Sequence, residues 1–134
     1  MLLLNPRHVR FGSLTLEDVF AVAIDRSAHR AVEDWPDTGP YASFADVPEQ
    51  KVRIRIEQEL SAGDLGPPAP GDRATLTLSA SPTMCDASRR RLTADAVVLS
   101  VTYDLSLKRG AARTITLAAL SPDGAADPIT LSDA

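Results

Sequence analysis

The residues of this chain that could do chemistry are few. They are His8 and His29, a single cysteine at Cys85, the acid pairs Glu33–Asp34 and Glu57–Glu59, and the run Arg89, Arg90, Arg91. A structural zinc site needs a closed ligand set, and neither histidine has a cysteine or carboxylate at ligand spacing, so both read as surface side chains. A calcium loop needs oxygens at alternate positions. Asp64, Asp72 and Asp86 are scattered instead, and "SAGDLGPPAPGD" does not supply them. The sequence contains no nucleophile elbow, glycine-rich phosphate loop or HExxH pair. Neighbouring acids on strands or loops are expected to face water. The three arginines could touch a phosphate backbone, but in an acidic domain they are expected to pair with acidic neighbours. The expectation is no enzyme, no cofactor and no metal.

Charge and size narrow the classes further. The formal charge of −4 and the pI near 5.0 argue against a dedicated nucleic-acid binder, which concentrates positive charge on its surface. One cysteine allows no intramolecular disulfide; Cys85 is expected to be buried or idle, with a bridge between two copies as the alternative. A chain of 134 residues is expected to form one domain over residues 1–134. At that length it buries roughly two-thirds of its unfolded surface. The start, "MLLLNPRHVR", has too short an apolar run for a signal core or a membrane span, so no membrane anchor and a cytosol-like compartment are expected.

Strands must position whatever these side chains do. In "KVRIRIEQEL", residues 51–60, Val52, Ile54, Ile56 and Leu60 share one parity, while Lys51, Arg53, Arg55, Glu57 and Glu59 share the other. That is one strand with an oily face and a charged face. Residues 19–25, "VFAVAID", are apolar almost throughout and predict a strand covered on both faces. They would form a hairpin with residues 27–35 through a turn at "DRSA", residues 25–28. Residues 36–50 hold three prolines and a glycine and predict a long loop carrying Tyr41 and Phe44, with Trp35 at its base. Those rings either plug the loop onto its own domain or form an arm that packs on another subunit.

Further on, "RATLTLSAS" predicts a strand with Ala74, Leu76 and Leu78 inward. Residues 82–96 are the best candidate for a short helix, capped by Asp86 or Ser88. Residues 96–107 predict a strand with Val97, Leu99, Val101 and Tyr103 on one face. "KRGAAR", residues 108–113, would turn it into a partner at residues 114–120, with a last short strand at residues 129–131. The fold class is therefore mainly β: a small β-barrel or β-sandwich of about six to eight antiparallel strands, one short helix and a long Pro-rich loop.

The order of these elements resembles the tail-tube proteins of long-tailed bacteriophages, the superfamily that includes the type VI secretion tube. Four features carry the likeness: an early hairpin over residues 19–35; a Pro-rich loop feeding "FADVPEQKVRIRIEQEL"; the middle stretch "GDRATLTLSAS"; and the closing hairpin "AVVLSVTYDLSLKRGAARTITLAALSPDGAADPI". The arginine-rich "SPTMCDASRRRLTADA" departs from the family, where a milder helix is the rule. The resemblance implies six copies in a ring and rings stacked into a hollow tube. The implied partners are the chain itself, a tape-measure protein, a sheath protein in contractile tails, and DNA that passes without specific binding. The location implied is the virion tail, assembled in the host cytoplasm. Trp35, Tyr41, Phe44, Val47, Lys51, Arg53 and Arg55 are then expected at the subunit interface, the three cations facing acids of a neighbour. The alternatives are another ring-forming tail component, a terminator or baseplate protein, and a small ligand-binding sandwich or adaptor. A lectin-like surface is poorly served by one asparagine, Asn5, and few aromatics.

Overall fold

A computed structural model describes residues 2–60, 66, 68–81, 90–106 and 110–133. Eight strands follow one another: β1 (Leu2–Phe11), β2 (Leu14–Thr15), β3 (Val19–Asp34), β4 (Phe44–Leu60), β5 (Arg73–Ser81), β6 (Arg90–Ser106), β7 (Gly110–Leu120) and β8 (Thr130–Asp133). All pairings are antiparallel. The sheet runs β2-β1-β3-β4-β7-β6-β5, with β8 added to β6. β1 also pairs β5 at the far edge, while its own join to β3 is short, Leu2 with Ala23 and Leu3 with Val22. The sheet thus folds over one core as a sandwich and is not laddered evenly into a closed barrel.

The core follows from alternation. Val22 and Ile24 of β3, Val52, Ile54 and Ile56 of β4, Leu76 and Leu78 of β5, and Ile115 and Leu117 of β7 are all buried, each set spaced by two residues. Val9, Phe11, Leu16 and Ile129 close the ends of the same cluster. Burying side chains of this size stabilises by about 1.5–3 kcal/mol each, before chain entropy is subtracted. The tight β1–β2 turn needs its glycine. Gly12 sits at φ +64, and a Cβ there would lie 3.0 Å from the Ala74 Cβ.

Several sequence expectations change. Among the described residues there is no helix. Of the segment expected to be helical, residues 82–89 lie outside the described residues, as does Cys85, and residues 90–96 are strand. The reason is a two-residue period: Leu92, Ala94, Ala96 and Val98 are buried in turn. The period breaks at Leu99, where β6 shifts register against β7. Leu99, 45% exposed, keeps the outward side that the alternation gives it, and the extra residue moves Val101 onto the core side. The turn expected at residues 25–28 does not form, because β3 runs straight through it, pairing Asp25 with Arg53 and Ala28 with Gln50. β3 is also not covered on both faces, since Phe20 is 54% exposed. The loop expected over residues 36–50 ends early, residues 44–50 being strand. Gly110 to Arg113 belong to β7, not to a turn.

Candidate assembly surface

The β3–β4 ribbon has two halves because its sequence has two patterns. At Val22 and Ile24 on β3, and at Val52, Ile54 and Ile56 on β4, every second residue is apolar and buried. Beyond that boundary the alternation stops, as "DRSAHRAVED" faces "FADVPEQK". With nothing to bury, this half leaves the core. Every residue from 28 to 50 is exposed, yet pairing continues to Asp34 opposite Phe44. The result is a projecting arm of roughly 30 Å, at about 3.3 Å per residue.

Two irregularities shape the arm. His29 is the extra residue on β3 between the pairs Ala28–Gln50 and Arg30–Glu49. Val47 and Pro48 together oppose Ala31 on the other strand. A bulge is where a strand tolerates proline, which has no N–H to give the ladder. The tip closes where the Ser43 amide donates to the Asp34 carbonyl at 2.9 Å. Neither outer edge of the arm has a strand partner among the described residues: β1 stops pairing β3 at Ala23, and β7 stops pairing β4 at Arg53.

The seven residues singled out from sequence fall into two groups. Trp35, Tyr41 and Phe44 sit at the tip, exposed by 56%, 82% and 53%, with Val47 (39%) just behind them and Val32 (40%) on the facing strand. Lys51, Arg53 and Arg55 lie at the root, where β4 enters the sheet. By alternation they point away from the buried Val52, Ile54 and Ile56. Sequence order brought all seven into one candidate patch. The structure separates tip from root along the length of the arm.

Ion pairs along the arm are loose. Glu49 lies 3.8 Å from His29 Nε2 and 3.9 Å from Arg30, and Arg55 Nε lies 3.9 Å from Glu57. Exposed pairs of this kind contribute little. Among the described residues, neither Lys51 nor Arg53 has a carboxylate within ion-pair distance. Beside them runs a groove of about 710 Å³, bounded by Pro48 and Gln50 on the free edge of β4 and by the turn at residues 121–128.

That turn is fastened by its own acids. The Asp123 carboxylate accepts from the Ala126 and Ala125 amides, each at 2.8 Å. These two bonds, with a third from the Ser121 hydroxyl, hold its carboxyl below the usual range. The Asp127 carboxylate accepts from the Ile129 amide at 3.0 Å and from both terminal nitrogens of Arg26 at 3.2 and 3.1 Å. Its carboxyl is lowered first by the Ile129 amide and then by Arg26. The fork ties the turn to the root of the arm. The only signal for it was turn chemistry, "SPDG" and "DP", which gives no partner 101 residues away.

A second node was also missed. Arg113 donates twice to Gln58 Oε1, at 3.1 and 2.7 Å, and once to the Gly66 carbonyl at 3.3 Å. Gln58 Nε2 donates to the Glu17 carbonyl at 2.7 Å. Both side chains are buried, so the node joins β4, β7 and two connections inside the sandwich. Among the described residues, no group of three or more His, Cys, Asp or Glu could hold a metal ion, and no helix is long and apolar enough to cross a membrane. No protein-family model matches the chain, and no curated protein matches it.

Proposed function

We propose that this chain is a structural subunit that assembles with copies of itself into rings, stacked into the hollow tail tube of a bacteriophage-type particle. The arm carries this reading. A two-stranded ribbon standing alone is marginal in water. This one exposes Trp35, Tyr41 and Phe44 at its tip and has no strand on either outer edge among the described residues. Such edges and rings are hazards unless another surface consumes them. Identical copies closing into a ring consume them all alike.

The tube itself comes from the tail-tube resemblance. In that setting the lumen houses a tape-measure protein and later passes DNA, and a sheath protein surrounds the tube if the tail contracts. A charge of −4 per copy, repeated around a ring, disfavours a grip on phosphate. The reading gives no residue a catalytic role.

Electron microscopy of the purified chain tests it. Long hollow tubes are the expected image. Separate rings would shift the assignment to a terminator or baseplate component. Monomers at every concentration would remove self-assembly altogether.

A further inference from the structure

Resting on that assembly reading, we infer that the groove at the root of the arm is the seat for the acidic arm tip of a second copy. Charge complementarity selects the occupant. The tip, residues 31–47, carries Glu33, Asp34, Asp37 and Asp46 and no Lys, Arg or His. At the root stand Lys51 and Arg53 without a carboxylate partner among the described residues. Most of the other charges there are matched, Arg55 lying 3.9 Å from Glu57. Arg26 is held by Asp127, and Asp123 is occupied by its own turn. Asp25 faces Arg53 across the ladder without closing an ion pair.

Geometry makes the contact intermolecular. Tip and root lie at opposite ends of one paired ribbon, so a copy cannot seat its own tip. The groove also presents the edge of β4 before Arg53, which no strand pairs among the described residues, so an incoming extended segment can add to it. Donor and acceptor are different surfaces, so the contact is head-to-tail; it closes into a ring when the rotation fits and otherwise runs on as a filament. A symmetric tip-to-tip contact would set acid against acid.

Two charge-reversed chains test this by sedimentation and microscopy. One carries Lys51→Glu and Arg53→Glu at the root. The other carries Glu33→Lys, Asp34→Lys and Asp37→Lys at the tip. Each alone is expected to need at least about tenfold more protein to assemble than the unaltered chain. An equimolar mixture is expected to recover assembly, since each tip then meets an opposite root. Circular dichroism and melting check that each chain is folded; if a reversal unfolds it, Lys51→Gln with Arg53→Gln replaces it and is expected to give a smaller loss. Root-reversed chains that assemble as well as the unaltered chain would overturn the seat and leave self-assembly standing, and so would a mixture that recovers nothing. An unaltered chain that never assembles would overturn both.

Discussion

At the scale of single residues, the Gln58–Arg113 node is the most exacting feature of the interior. Gln58 Oε1 accepts two bonds from one guanidinium while its amide nitrogen donates to the Glu17 carbonyl. Removing only Arg113 leaves a buried carbonyl oxygen without those donors, which costs about 1–3 kcal/mol. Arg113→Met is therefore expected to lower the urea midpoint clearly. Gln58→Leu combined with Arg113→Met should lose less than the sum of the two single changes, because both ends of the node go together. Strict additivity in that cycle would show that the two side chains do not depend on each other.

Asp127 makes a pH prediction at the same scale. Its carboxyl is lowered in the folded state by the Ile129 amide and Arg26. A depressed carboxylate contributes stability above its ordinary value of 3.8, and the contribution is lost as pH falls through the lower folded value. The tail turn should therefore stay fastened at neutral pH and release in acid, below the usual carboxylate range. Asp127→Asn should release it at all pH values. Chemical shifts of the Ile129 amide and Arg26 side chain report this; an acid transition unchanged in Asp127→Asn would remove the fork as its cause.

Among the elements, the arm is the one that the core does not need. Residues 28–50 are exposed throughout, so replacing residues 31–48 by Asn-Gly, a turn suited to a two-residue hairpin, removes no buried contact. The melting free energy is expected to change by less than about 0.5 kcal/mol, while assembly is lost. A large fall in stability would mean that the arm packs on its own domain. That alternative, rings plugging back onto their own subunit, was open in the sequence because a Pro-rich aromatic segment reads the same either way. Continued pairing from Asp25–Arg53 to Asp34–Phe44 made the segment a ribbon. Only the absence of alternation beyond Ile24 hinted that it would leave the core.

For the molecule as a whole, much of the fold was legible one strand at a time. "KVRIRIEQEL" and "RATLTLSAS" declared their buried faces without any knowledge of neighbours, since a side-chain period of two is a property of the strand itself. Where a bulge intervenes, as at Leu99, the same rule fails beyond it, and Val101 takes the core side held by even positions up to Val98, because the extra residue answers to a partner strand. β1 escaped notice for a related reason: "LLLNPRHVRF" is broken by register shifts on both sides of Arg7, which blur its alternation.

The amino-acid sequence alone determined that this is a mainly β chain with oily and charged strand faces, because alternation and punctuation are local. The tertiary structure decided which strands pair, where β3 and β4 part from the core, and that the aromatic tip and cationic root stand apart. Pairing and burial depend on residues far away in the chain, and no short stretch carries that information.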